Sequence, residues 1–345
     1  MKYSQDPVYG IRLGLSRLHP RNPHRYDDFL ELMSLFPPLK KYIQIKGTKV
    51  IADYSNKEFL YELTRTLMNF RYNIDWSISR GFLIPTVPSR ANYVHYIADL
   101  LTPEHFYNTE IILRESNRDV NTIEGEYSEV SKSIIPLGLK VIGIDIGCGA
   151  NCIYPLICHK TFGWKMFGSD LSNESINIAS SIVKRNGLSK NINFLYQDDP
   201  TNILCGILDS SSLLDINFTF SMCNPPFYSS FNDYTHSTHP SRQGEGKLFE
   251  IITTGGEGVF IENMIHQSLK FPKRVIWYTT LVSKLNNLKR CRKLLLDISR
   301  QGGNEKKLEA IRTITMEQGN HVRWILAWSF YSKIDRIALL SFIRS

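Results

Sequence analysis

Apolar positions keep two different rhythms along this chain, and the change of rhythm divides it. Over residues 26–36 and 57–71 they recur at helical spacing, with Phe59, Leu60, Leu63 and Leu67 on one side of the second run, so a small N-terminal helical module is predicted. A third helix is predicted through Tyr93, Ile97 and Leu100, after the run Leu83-Ile84-Pro85-Thr86-Val87-Pro88. Beyond residue 139 short apolar runs alternate with helical ones. Strands are predicted at 140–146, 164–169, 192–196, 218–223 and 274–282, and helices at 174–186, closed by Gly187, and at 258–270. Strands alternating with helices imply a mainly parallel sheet with helices on both faces. The end departs from this: residues 310–317 and 322–331 are two strand patterns joined by Gln318-Gly319-Asn320-His321, a hairpin signal. The expected fold is α/β, a mainly parallel sheet finished by an antiparallel hairpin.

Charge adds a partner to this picture. The net charge of +8 is unevenly spread: residues 1–50 carry nine Lys/Arg against four Asp/Glu, residues 284–312 nine against three, and residues 102–138 three against seven. Two separate basic segments point to nucleic acid as a polyanionic partner. Residues 1–26, with Arg12, Arg17, His19, Arg21, His24 and Arg25 and little apolar pattern, read as an arm that orders against it. The acidic stretch reads as a mobile insertion. No apolar run reaches the length of a bilayer span, and the first residues lack the apolar stretch of a signal peptide, so a soluble intracellular protein is expected. Cys148, Cys152 and Cys158 lie with His159 on an apolar stretch, and the six cysteines show no paired spacing; buried thiols are expected, and no metal. His236 and His239, with no Cys or acidic partner nearby, belong to a solvated loop.

Three motifs carry chemistry. Asp145-Ile146-Gly147-Cys148-Gly149-Ala150 follows the first main-domain strand, where glycines let the backbone turn tightly and approach a ligand. The third glycine of a dinucleotide fingerprint is replaced by Cys152, so there is no tight pyrophosphate cradle, and the motif instead resembles the E/D-x-G-x-G loop that holds the amino-acid end of S-adenosylmethionine. Asp170 ends the second strand at the right distance to accept hydrogen bonds from ribose hydroxyls; the competing reading is a carboxylate that opens the next helix. Residues 197–201 are placed to meet the adenine ring of the cofactor.

Asn224-Pro225-Pro226-Phe227 ends the fourth strand, at the carboxyl edge where open α/β sheets bind ligands. An exocyclic amine delocalises its lone pair into the ring. Two neutral acceptors on its N–H groups, the Asn224 amide oxygen and the Pro225 carbonyl, restore density at nitrogen and aim it at a sulfonium methyl. The prolines preorganise the carbonyl, and Phe227 offers a face to a flipped base. Attack needs no strong base, because the nitrogen can lose its proton after it becomes positive. Residues 228–256, with Tyr234, His236, His239 and Arg242, read as a substrate-side loop.

With Ile84-Pro85-Thr86-Val87-Pro88-Ser89-Arg90-Ala91-Asn92-Tyr93, the stretch from Gly143 to Pro155, and Arg323-Trp324-Ile325-Leu326-Ala327-Trp328-Ser329-Phe330-Tyr331, this tetrapeptide resembles the methyltransferase-like protein 16 family, over about residues 18–101 and 140–332. Its members are adenine-N6 methyltransferases of U6 small nuclear RNA, distantly related to a bacterial ribosomal RNA enzyme. The resemblance implies a class I Rossmann-like methyltransferase fold with a small N-terminal helical RNA-binding module at 1–80. A connecting segment at 81–101 would contribute to the cofactor site, followed by the acidic insertion at 102–138, the methyltransferase domain at 139–332 and a C-terminal tail at 333–345. It also implies S-adenosyl-L-methionine as cofactor. Arg90, which periodicity alone makes a helix-surface charge, would grip its carboxylate, with Asp145, Gly147, Gly149, Asn151, Asp170, Thr201 and Asn224 as further contacts. RNA would meet Arg12, Arg17, Arg21, Arg25 and Arg323, although Asn320 stands where the family carries a second Arg before the Trp of the final strand. The expectation is a monomeric enzyme, nuclear with the cytoplasm as second location, that forms N6-methyladenosine in U6 small nuclear RNA. Enzymes that methylate DNA or ribosomal RNA adenines or a protein glutamine share Asn-Pro-Pro-aromatic and are the alternative. An RNA-binding factor with secondary methylation is the reading from a different class.

Overall fold

The computed structural model describes residues 18–47, 49–102, 135–237, 246–301, 307–318 and 321–344; Arg12, Arg17, His239, Arg242, Asn320 and most of the acidic insertion lie outside them. Asp28 and Asn56 open the first two helices, α1 (Phe29–Leu35) and α2 (Lys57–Tyr72), by accepting hydrogen bonds from backbone N–H groups that a first turn leaves without helical partners. Between them β1 (Ile43–Lys46) and β2 (Lys49–Ala52) pair antiparallel. Sequence patterning gave no sign of this pair, because β1 buries only its first residue. α3 (Val87–Leu100) is buried almost all round, as a helix enclosed by others must be.

The main sheet contains β3 (Ile142–Ile146), β4 (Lys165–Asp170), β5 (Ile192–Tyr196), β6 (Phe218–Cys223), β7 (Val275–Val282), β8 (Ala310–Gln318) and β9 (His321–Ser329) in the order β5-β4-β3-β6-β7-β9-β8. The first five run parallel, and β9 lies antiparallel to both β7 and β8. This is the expected parallel sheet with its terminal hairpin. All eight residues of β7 and all six of β6 are buried, as central parallel strands covered on both faces should be. In β3, a Cβ on Gly143 would lie 2.3 Å from Phe220 Cζ of β6. Only glycine lets that ring cross the neighbouring strand.

Helices α4 (Ile153–Phe162) and α5 (Asn173–Arg185) join the N-terminal helices on one face. Phe29, Leu63 and Trp76 belong to the same buried cluster as Leu156, Met166 and Phe220, so the N-terminal helices share one core with the sheet. The short helices α6 (Cys205–Leu208), α7 (Phe231–Ser237) and α8 (Leu248–Ile251) precede α9 (Gly256–Ser268) and α10 (Leu285–Gln301); α6, α9 and α10 pack on the opposite face. Residues 333–344, expected as a tail, form α11 (Lys333–Arg344), which buries Arg336 and Leu340. No helix among the described residues is long and apolar enough to cross a membrane.

Candidate active site

Parallel strands deliver their carboxyl ends to one edge, and the segments after β3, β4, β5 and β6 meet there around a cleft. Leu83, Arg90 and the α8 residues Phe249 and Glu250 complete its wall. Gly147 and Gly149 turn the loop after β3 with φ of +71° and +63°, and a Cβ on Gly147 would meet nothing within 4 Å. The N–H groups of Gly147 and Cys148 both donate to the Ser169 carbonyl at 2.9 Å, which pins this loop to β4. Cys152, at the position of the missing fingerprint glycine, adopts the left-handed conformation itself, with φ of 38°.

Asp170 lies on the cleft wall, and each of its oxygens accepts one backbone N–H, from Gly149 at 2.8 Å and from Ser172 at 2.9 Å. Burial raises its carboxyl above the ordinary range, against the pull of those donors. The helix start is capped by Ser172, whose Oγ accepts from Ser175 N, so Asp170 is left to face a ligand. Asn151 also lines the cleft, donating to the Leu83 carbonyl at 3.3 Å and accepting from Ile153 N at 3.2 Å.

Two expected cofactor contacts are placed elsewhere. Asp145 is fully buried, and neither carboxylate oxygen has a hydrogen-bond partner among the described residues. Strand alternation turns Asp145 beneath the loop, while its neighbour Ile146 reaches the cleft. Burial, reinforced by Asp170 and opposed by Arg90, drives the Asp145 carboxyl well above its usual range. Thr201 is exposed and folded onto Asp199, which accepts both its N–H at 2.8 Å and its hydroxyl at 2.6 Å. From residues 197–201, Gln197 and Pro200 line the cleft instead.

At the end of β6, Asn224 and Pro226 line the cleft, and Asn224 Oδ1 is buried without a hydrogen-bond partner among the described residues. Pro225 and Phe227 are outside that wall, and the Arg323 guanidinium sits over the Phe227 ring, 4.9 Å from its centre. Burial, then the nearby Arg90, lowers the pKa of Arg323. The strand end is braced from behind. Cys223 N donates to the Tyr93 hydroxyl at 3.4 Å, that hydroxyl lies 2.6 Å from Thr279 Oγ1, and Thr279 donates to the Ser221 carbonyl at 2.7 Å. Arg90, one turn before Tyr93, donates to the Tyr154 hydroxyl at 3.2 Å.

Of the predicted RNA contacts, Arg21 is half-buried and paired with Asp99, whose other oxygen lies 2.9 Å from His19 Nε2. Arg25 donates only to the Pro20 carbonyl, at 3.3 Å, and makes no ion pair among the described residues. All six cysteines are buried and unbridged. Sequence reasoning missed Tyr154 and Glu250. Tyr154 stood inside a quoted motif without a role, and Glu250 lies in a Ser-, His- and Gly-rich stretch with no periodicity to mark it.

A sheet of this order, with a glycine loop after β3, a carboxylate ending β4 and Asn-Pro-Pro-Phe ending β6, defines a class I methyltransferase. Residues 14–122 and 128–332 match the model of a family described as RNA methyltransferase. The chain is 32% identical over 337 residues to ribosomal RNA large subunit methyltransferase F of Pseudomonas savastanoi pv. phaseolicola, covering 92% of this chain and 91% of that protein. To the protein of the same name from Flavobacterium johnsoniae it is 34% identical over 340 residues, covering 92% and 95%. Among solved structures, the hMettl16 catalytic domain in complex with MAT2A 3′UTR hairpin 6 superposes with a TM-score of 0.71 at 28% identity, covering 92% of this chain and 98% of that one. The N-terminal domain of human METTL16 in complex with SAH gives 0.66 at 30% identity, covering 91% and 99%. The chain belongs to this RNA methyltransferase family; its cofactor is S-adenosylmethionine and its chemistry methylation of RNA adenine N6.

The cleft fits that cofactor. It offers an open glycine turn at Gly147, a guanidinium at Arg90 and a carboxylate at Asp170, which match an amino-acid end and a ribose.

Proposed function

We propose that this chain methylates N6 of an adenine in large-subunit ribosomal RNA. The observation that carries the chemistry is Asn224 Oδ1, a buried acceptor with no partner among the described residues, at the strand end that borders the cofactor cleft. S-adenosylmethionine, when bound, supplies an electrophilic sulfonium methyl. The protein's part is to hold the amine: Asn224 and the Pro225 carbonyl each accept one N–H, which directs the nitrogen lone pair out of the base. The Tyr93–Thr279 brace keeps that carbonyl and amide in place before substrate arrives. A flipped base stacks on the face of Phe227 that Arg323 leaves uncovered.

The choice of ribosomal RNA is supported by relatives 32% and 34% identical over 92% of the chain whose name states that substrate. The small nuclear RNA expected from sequence motifs is the second reading, favoured by the fit to METTL16 structures at 28% and 30% identity. Nuclear localisation goes with that second reading alone. The test is to incubate the protein with isotopically labelled cofactor and, in separate reactions, unmodified large-subunit ribosomal RNA and a U6-derived oligonucleotide, then map the label by nucleoside mass spectrometry. Labelled N6-methyladenosine in the ribosomal RNA is expected; label in U6 alone overturns the proposal.

A further inference from the structure

We infer that Glu250 holds the α-ammonium group of the cofactor's methionine end, opposite the Arg90 guanidinium that takes its carboxylate. The inference rests on reading the cleft as the S-adenosylmethionine site. A zwitterionic end presents one charge of each sign, and Arg90 answers only the negative one. Three carboxylates lie in or beneath the cleft. Asp145 is sealed under the loop with no accessible oxygen. Asp170 stands at the end of β4, suited to ribose, with a backbone donor already on each oxygen. Glu250 remains.

Its geometry is that of a fixed carboxylate with one oxygen reserved. Oε2 accepts two backbone N–H groups, from Leu83 at 3.0 Å and from Lys247 at 2.7 Å. Oε1 accepts no hydrogen bond among the described residues. It stands 3.6 Å from the Cβ position of Gly149, in the glycine loop that lines the cleft. The Lys247 ammonium makes no ion pair with it and acts on it only from a distance: that group lies 3.8 Å from Glu174 and over the Phe82 ring. Burial raises the Glu250 carboxyl, and a cation placed beside it would relieve that cost. A held carboxylate needs little reorganisation on binding, so the contact adds affinity rather than spending it on ordering.

Glu250→Gln separates this role from simple loop bracing. The two backbone donors call for an acceptor, so the glutamine carbonyl takes the place of Oε2 and its NH2 faces the cleft, where it meets an ammonium donor to donor. Titration calorimetry on the full chain would compare S-adenosylhomocysteine, its deaminated analogue and 5′-methylthioadenosine. Wild type is expected to bind S-adenosylhomocysteine about ten- to a hundredfold more tightly than the variant does, the range of a hydrogen bond to a charged group. The two ligands without an α-amine should bind both proteins equally. Equal affinity of both proteins for S-adenosylhomocysteine overturns the inference, and so does a uniform loss over all three ligands, which would assign Glu250 to bracing alone. A wild-type protein that binds none of the three removes the cofactor reading of the cleft, and the inference with it, without reference to the variant.

Discussion

Replacing Asn224 by alanine should cripple catalysis while leaving the fold as stable or more so, an unusual pair of effects for a half-buried residue. The reason lies in Asn224 Oδ1, buried without a hydrogen-bond partner among the described residues. An acceptor desolvated in this way costs about 1–3 kcal/mol, and alanine removes that cost. The side chain borders an open cleft, so its removal leaves no sealed cavity. The strand end is held by Tyr93 and Thr279 and not by the amide. Setting the side chain's own packing against the relieved desolvation, Asn224→Ala is expected to gain about 1 kcal/mol, or about 2 °C in melting temperature for a chain of this size. The same change deletes one of two acceptors that act on the amine in the transition state, by analogy with loss of one oxyanion-hole donor a drop of about 10²–10³ in single-turnover rate. Methyl transfer from labelled cofactor at saturating RNA gives the rate, and differential scanning calorimetry gives the stability. Activity within tenfold of wild type would refute the role of the amide. A stability loss above about 1 kcal/mol would refute the claim that Oδ1 rests without a partner.

Two further outcomes test the surroundings of the site. A carboxyl whose folded pKa lies above its unfolded value of 3.8 binds its proton more tightly when folded, so Asp145 weakens the fold at neutral pH and ceases to do so as pH falls below 3.8. Asp145→Asn should therefore melt above wild type at neutral pH and lose that advantage in acid; a variant that melts lower at neutral pH contradicts the assignment. Arg25→Gln is expected to weaken RNA binding and to lower the salt slope by about 0.7–0.9, the value of one phosphate no longer neutralised. Arg21→Gln should leave the slope alone and cost about 1 kcal/mol of stability, because its partner Asp99 keeps His19. A salt slope that moves with Arg21 and not with Arg25 would reverse that assignment.

What the sequence made legible follows from how local each signal is. The strand runs, the helix starting after Ser172 and the terminal hairpin depend on apolar spacing and neighbouring residues, and all appear at or within a few residues of the predicted bounds. The β1–β2 pair, with one buried residue in β1, had no such spacing. The same limit governs the site. Gly147, Asp170 and Asn224 follow strands and so could be placed at the carboxyl edge from order alone. Whether a side chain at that edge faces the cleft is another matter. Asp145 and Thr201 sit in the expected segments, yet strand alternation buries the first and Asp199 captures the second. Arg21 looked like its neighbour Arg25 until α3 supplied Asp99, residue 78 positions further on. Glu250 was invisible for the same reason: its partners Leu83 and Gly149 are remote in sequence.

The arrangement also ties the segment before the acidic insertion to the cleft. α3 carries Arg90 and Tyr93 one turn apart on the same side of the helix. Arg90 reaches the cofactor cleft and the Tyr154 hydroxyl, and Tyr93 packs edge-on against the Tyr154 ring while its own hydroxyl receives the N–H of Cys223, the residue before Asn224. Arg90 and the turn that carries Asn224 are thus fixed by one helix, with Tyr154 of α4 between them. Because α3 is buried almost throughout, neither contact can shift without disturbing the core shared by the N-terminal helices and the sheet. The N-terminal helices are in this sense part of the scaffold around the cleft, and the turn that carries Asn224 is set before any ligand arrives.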